Sequence, residues 1–178
     1  MSEHSQTTVS IVGGGPAGLS AALFTRKNGL DTRVFDADGT WMHKAHLFNY
    51  LGVGSADGSA FMETARNQVD SFGVDRHQGE AVDSITETDD GVVVETGDGE
   101  YETDYVVLAT GASRELAEEM GCAFDDDDTV DVDLSMRTSI ENVYATGAMV
   151  RAEEWQAAIS AGDGAAAALN ILSDVKGE

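Results

Sequence analysis

Residues 8–36 read TVSIVGGGPAGLSAALFTRKNGLDTRVFD, and the fold is decided here. The first five residues are mostly β-branched and apolar and stop at glycines, the pattern of a buried parallel strand. Gly13-x-Gly15-x-x-Gly18 follows. Residues 19–28 then carry helical spacing, with Leu19, Ala22, Leu23 and Phe24 expected inward and Gly29 placed as a C-terminal cap. A second strand is expected at 32–35, ending at Asp36. Strand, helix and strand within about thirty residues make a β-α-β unit.

Each glycine has its own reason. The first permits the tight turn from strand to helix. The second leaves the backbone bare for a pyrophosphate, which a side chain would block. The third lets helix and strand pack closely. Pro16 and Ala17 open the helix, where unpaired N–H groups and the helix dipole favour an anion. Asp36 is placed to accept the hydroxyls of an adenosine ribose. Together these marks predict a dinucleotide site, without separating NAD from FAD.

Outward from that unit, residues 37–55 show no clear period and hold Trp41, His43, His46, Phe48, Asn49 and Tyr50. Loops of this length in compact domains are usually functional. Two histidines with no Cys or Asp partner beside them are poor ground for a metal site, and none is expected. The spacing predicts an amphipathic helix over 60–72, with Phe61, Met62, Ala65, Val69 and Phe72 on one face. Strands at 81–86, 92–96 and 99–103, with turn sequences between them, predict an antiparallel meander. YVVLA at 105–109 predicts another buried strand, followed by Thr110 and Gly111. Beyond it are expected a short helix at 114–120, a solvated acidic turn at 125–128, short strands at 130–132 and 142–145, and a final helix at about 154–173, interrupted by Gly162 and Gly164. The expected class is α/β: one Rossmann-like, three-layer domain over 1–178, with a parallel sheet and a small antiparallel β-meander.

Composition narrows the partners. The 178 residues, 42% of them hydrophobic, suffice for a real core. Asp and Glu number 33 against 10 Lys and Arg, a formal net charge of -23. Such a chain repels phosphate backbones and anionic lipid, so neither nucleic acid nor membrane is an expected partner. The acids are dispersed, which reads as a surface adapted to high salt rather than as an acidic binding face. Cys122 is the single cysteine, so no intrachain disulfide can form. A short polar opening without a leader, and no apolar run of bilayer length, give the expectation of a soluble cytoplasmic protein.

Taken in order, the motifs from 9 to 171 resemble those of the low-molecular-weight thioredoxin reductases, in the pyridine-nucleotide disulfide oxidoreductase superfamily. IVGGGPAGLSAA at 11–22 resembles the FAD phosphate loop, and FNYLG at 48–52 the asparagine-tyrosine segment beside the flavin. VVLATGA at 106–112 is similar to the motif ending the first FAD half, and MRTSIENVYATGA at 136–148 to the one opening the second. WQAAISAGDGAAAA at 155–168 resembles the final helix, which points its N-terminus at the flavin pyrimidine. The resemblance implies FAD, held by Gly13, Gly15, Pro16, Ala17, Gly18, Asp36, Asn49, Val82 (through its backbone, at adenine), Thr110, Gly111, Gly147, Ala148, Trp155, Gln156 and Ala157. In the same terms, the Gln156 backbone N–H faces flavin O2. The implied halves run from about 7 to 113 and from about 130 to 175, and a homodimer is implied as well.

The departures from that pattern are as informative. Where the family inserts an NAD(P)H domain carrying a Cys-x-x-Cys, only residues 114–133 or so lie between the halves, without a second glycine fingerprint. Where the family has Gly-Asp, this chain has Gly147-Ala148, and the family's Arg-Gln is Trp155-Gln156. Trp155 either covers a flavin face or simply fills exposed surface. Glu153 and Glu154 are expected to point to solvent. No acid, base or nucleophile stands out, so no catalytic residue is named. The expected function is that of an FAD-binding oxidoreductase-like protein, not a self-sufficient disulfide reductase, exchanging electrons with a separate donor or acceptor protein. Two alternatives stay open: a non-catalytic binding module with weak or no flavin, and an NAD(P)-binding dehydrogenase.

Overall fold

A computed structural model describes residues 6–177. The opening residues, on which the expectation of no leader rests, lie largely outside that range. The chain runs β1 (Thr8–Val12), α1 (Pro16–Lys27), β2 (Asp31–Asp36), β3 (His46–Leu47), β4 (Ala56–Asp57), α2 (Gly58–Ser71), β5 (Asp75–Gln78), β6 (Val82–Thr88), β7 (Gly91–Thr96), β8 (Gly99–Thr103), β9 (Tyr105–Leu108), α3 (Glu115–Met120), β10 (Val143–Ala145) and α4 (Ala157–Lys176). Five strands form a parallel sheet in the order β10-β9-β1-β2-β5. β6, β7 and β8 form the antiparallel meander.

Alternation along the parallel strands builds the layers. Val9, Ile11, Val34, Val107 and Tyr144 face one way and pack with Leu19, Ala22, Met62, Val69, Ala168 and Ile171 from the three longer helices. Val12, Phe35, Val106, Leu108, Val143 and Ala145 face the other way and pack with Ile85, Val92 and Val94 of the meander and Ala117 of α3. Strands buried on both faces must be apolar throughout, which is why these segments stand out in the sequence. From β1 the chain moves outward through β2 to β5, then returns to the other side of β1 for β9 and β10. The reversal lies between β1 and β9, and in such sheets ligands bind beside it, off the carboxyl ends of the strands.

Several elements differ from expectation. β5 has the sequence DRHQ and no apolar residue, so alternation did not mark it. It is an edge strand whose His77 ring lies 4.8 Å from that of Phe35, while Arg76 pairs with Asp70 at 2.8 Å. The expected loop at 37–55 contains a 3-10 turn, Trp41–Lys44, and β3, which pairs with β4 just beyond it. Residues 130–132 form no strand; Val130 makes a lone bridge to Phe124. Phe72 ends α2 with 43% of its surface exposed, off the inward face. α4 begins at Ala157 because the N–H groups of Trp155 and Gln156 each bond two residues back, to Glu153 and Glu154 at 2.9 Å. It is not interrupted: Gly162 and Gly164 sit inside it, and a Cβ on Gly164 would lie 2.0 Å from the Ala17 carbonyl oxygen. That glycine lets α4 lie against the start of α1.

The charge of -23 bears on this fold as a whole. Salt near 1 M shortens the Debye length to about 3 Å, against about 30 Å at 0.01 M, and so relieves self-repulsion. The melting temperature is therefore expected to fall steadily as salt is dialysed from molar to low millimolar. A flat profile across that range, read by circular dichroism, would remove the reading of a salt-adapted surface.

Candidate nucleotide-binding site

The glycine turn lies at the carboxyl end of β1, beside the sheet reversal. Gly13 has φ +114, and a Cβ there would lie 2.1 Å from the Ala109 carbonyl oxygen. Its N–H donates to Phe35 O at 2.8 Å. A Cβ on Gly18 would lie 1.8 Å from Gly13 O. Protein thus closes the first and third positions. Gly15 differs: its Cβ would meet only Thr40, with Oγ1 at 3.4 Å, so a ligand can approach the backbone there. Gly15 also caps α1 and makes no side-chain capping bond, and Pro16 follows in the first turn. The lost N–H of a proline costs nothing at that place.

Asp36 closes one side of the glycine turn and is nearly enclosed, with 3% of its side chain exposed. Its Oδ1 accepts the Asp38 N–H at 2.7 Å, and its Oδ2 accepts Arg66 Nη2 at 3.1 Å. A Cβ on Gly14 would lie 2.1 Å from Oδ2, so the carboxylate rests directly on the glycine turn. Arg66 Nη2 also donates to Asp38, whose Oδ1 lies 2.8 Å from His43 Nε2. The Arg66 hydrogen bond first, and His43 after it, hold the Asp38 carboxyl below the usual carboxylate range.

The opposite side comes from the ends of β9 and β10 and the start of α4. Thr110 turns the chain by donating Oγ1 to Ser113 O at 2.7 Å, and Gly111 follows with φ +66 and open space where a Cβ would be. Gly147 has φ +75, and its Cβ would lie 3.1 Å from that of Ala17. Ala148 lies in the 3-10 turn Gly147–Val150. Asn49 Nδ2 donates to Gln156 Oε1 at 2.8 Å, tying the long loop to the start of α4. Trp155 packs on Trp41, ring centroids 5.3 Å apart, and its Nε1 donates to Arg151 O at 2.9 Å.

One expectation is corrected here. The Gln156 N–H is not free for a ligand, because it donates to Glu154 O at 2.9 Å. The N–H groups that precede the first intrahelical bond, Ser160 to Gln156 at 2.9 Å, belong to Ala157, Ala158 and Ile159. Gln156, the N-cap, makes no side-chain capping bond. Glu153 and Glu154 are exposed. Val82 lies at the bulged start of β6, where its side chain packs on the core layer that holds Phe35. Cys122 is buried in that layer, and burial pushes its thiol above the ordinary value, unsuited to nucleophilic use. Sequence reasoning missed Arg66. Its signal was position: it lies four residues after Met62 and three before Val69, on the buried stripe of α2. A charge on such a stripe requires a partner.

A five-stranded parallel sheet, an open glycine turn at its reversal and two helix ends beside it define a dinucleotide-binding Rossmann domain. The pyridine nucleotide-disulphide oxidoreductase pattern matches residues 52–162, and an NAD(P)-binding Rossmann-like pattern matches residues 11–48. The chain belongs to the pyridine nucleotide-disulphide oxidoreductase family. It is 31% identical over 150 residues to the dihydrolipoyl dehydrogenase of Halobacterium salinarum, covering 79% of this chain and 29% of that protein. It is 35% identical over 118 residues to the thioredoxin reductase of Peptoclostridium litorale, covering 64% and 36%. The chain thus spans about a third of the length of these curated relatives. The fold is that of a thioredoxin reductase from Gloeobacter violaceus, with a TM-score of 0.87 at 20% identity over 98% of this chain and 97% of that one. The T. acidophilum thioredoxin reductase gives 0.88 at 19% identity, over 94% and 98%. No described helix is long and apolar enough to cross a membrane. No cluster of three metal-ligating side chains occurs among the described residues.

Proposed function

We propose that the chain is an FAD-binding, thioredoxin reductase-like oxidoreductase module that exchanges electrons with a separate protein or small-molecule donor. One observation carries this reading. The start of α1 lies against the side of α4 at Gly164, Gly147 sits between Ala17 and Ser160 of the first turn of α4, and neither helix N-terminus is capped by a side chain. By contrast, α2 is capped by Asp57, whose carboxylate accepts Ser59 N–H at 3.0 Å. Uncapped N–H groups at two adjoining helix ends suit a ligand that is anionic at one point and electron-rich at another. FAD has both features in its pyrophosphate and its pyrimidine ring, which favours it over NAD(P).

The residues present fit such a ligand. Gly15, Pro16, Ala17 and Gly18 would receive the pyrophosphate, and Asp36 the adenosine ribose, with the Val82 backbone toward adenine. Thr110 and Gly111, Gly147, Asn49 and the first turn of α4 from Ala157 would line the flavin side, with Trp155 and Gln156 at its edge. FAD, when bound, supplies electron transfer through its ring, and the protein contributes position and electrostatics. The sequence has a single cysteine and no second glycine fingerprint, so donor and acceptor are assigned to other molecules.

A second reading rests on Ala148, which brings no polar group where the resemblance puts an aspartate. One lost hydrogen bond to a ligand costs about 1–3 kcal/mol, or roughly ten- to a hundredfold in affinity. A non-catalytic module with weak flavin would follow. The visible spectrum of protein purified in high salt decides between the two. Flavin absorbance, with about one FAD released per chain on denaturation, is the expected result. A colourless protein that also fails to take up added FAD would overturn the first reading and leave the second.

A further inference from the structure

We propose that Arg66 is a positioning residue for the adenosine end of the ligand, and that the cluster it organises selects a ribose with free hydroxyls over a 2′-phosphorylated one. The inference rests on the FAD reading above and deepens it by specifying which nucleotides the site accepts.

Among the described residues, Arg66 is the one cation in direct contact with Asp36, and its side chain is 17% exposed. Its Nη2 bridges the Asp36 and Asp38 carboxylates. Asp36 is thereby held from three directions: by Arg66, by the Asp38 N–H and by the bare Cα of Gly14. A carboxylate that must accept ribose hydroxyls benefits from such fixing, because its rotamer freedom is already spent before the ligand arrives. The guanidinium has a further donor, Nε, which is buried without an acceptor among the described residues. Buried donors are rarely left this way.

Charge sets the selectivity. Asp36 and Asp38 carry two negative charges against one on Arg66, so one negative charge remains wherever His43, 2.8 Å from Asp38, is neutral. Arg76, whose charge also acts on this pair of acids, is already held by Asp70 through two bonds of 2.8 and 2.9 Å. A 2′-phosphate would enter a site that lacks a spare cation and holds an excess carboxylate. A free 2′-hydroxyl, which donates to a carboxylate, suits it.

Binding in high salt of FAD, FMN, ADP and 2′,5′-ADP tests this, with wild type and Arg66→Met compared. FMN lacks the adenosine half, so it reports on fold and flavin side alone. Wild type is expected to take FAD and ADP and to bind 2′,5′-ADP at least about tenfold more weakly. Arg66→Met is expected to lose about tenfold or more for FAD and ADP, with FMN affinity unchanged. Arg66→Lys should recover part of the loss. Should Arg66→Met fail to fold, Arg66→Gln, which keeps an N–H donor toward Asp36, reads the same split. Unchanged FAD affinity in the variants, or equal losses of FAD and FMN, would overturn the role of Arg66 and leave the FAD reading standing. Wild type that binds neither FAD nor ADP would overturn that reading itself, and this inference with it.

Discussion

Gly15→Val is expected to abolish FAD uptake while leaving the ligand-free chain as stable as before, within a few degrees of melting temperature. The backbone at Gly15 has φ -80 and ψ -171, an extended conformation open to any residue. Its Cβ would have only Thr40 for company, at 3.4 Å or more. A Cβ at this position therefore makes only ordinary contact with the described protein. What the valine fills is the space from which a pyrophosphate would reach the N–H groups of α1. An uptake loss of at least about a hundredfold, near 2.7 kcal/mol, is the expected scale. It is read by flavin absorbance after reconstitution, with circular dichroism melts on the same samples. Flavin retained at wild-type affinity would mean that the pyrophosphate does not sit on this turn.

Gly164→Val should do the reverse, striking the fold first. Here the Cβ would lie 2.0 Å from Ala17 O and 2.9 Å from its carbonyl carbon, both backbone atoms that cannot rotate away. α4 would have to lift from α1, uncovering Ala167, Ala168 and Ile171, which are fully buried. Overpacking of this kind costs about 3 kcal/mol or more. For a domain of this size that is a fall of about 6–12 °C in melting temperature. Gly162, two residues earlier in the same helix, has nothing within 4 Å of its Cβ position. Gly162→Ala is therefore the control and should melt no lower than wild type. Equal melting of wild type and Gly164→Val would show that the two helices do not meet as described.

The two glycines also show how far the sequence could be read. Gly13, Gly15 and Gly18 announced themselves by spacing after a β-branched run. Strands buried on both faces, such as Tyr105–Leu108, were legible because both faces must be apolar. Gly164 looked instead like an interruption of a helix, because helix propensity is local and the close approach of Ala17 is not. β5 was hidden for a related reason: an edge strand with ring and ion-pair contacts carries no apolar alternation. In the site, Asn49 and Gln156 were singled out separately, and only the fold showed that they are bonded to each other. Gln156 was assigned a free N–H that a local turn consumes. Arg66 needed two facts at once, the inward stripe of α2 and an enclosed Asp36, and only the first is written in the order of residues.

The meeting of α1 and α4 has a consequence for how the chain is made. α1 ends at Lys27 and its cover begins at Ala157, so most of the chain lies between two surfaces that need each other. β1 likewise waits for β9 before both of its edges are paired. During synthesis the side of α1 that α4 covers, at Ala17, therefore stays open until that helix has emerged. Closing so long a loop is entropically slow, and topologies built on such distant contacts fold late and together rather than piece by piece. Unfinished chains with open sheet edges are prone to stick to one another. A net charge of -23 on each copy opposes such association.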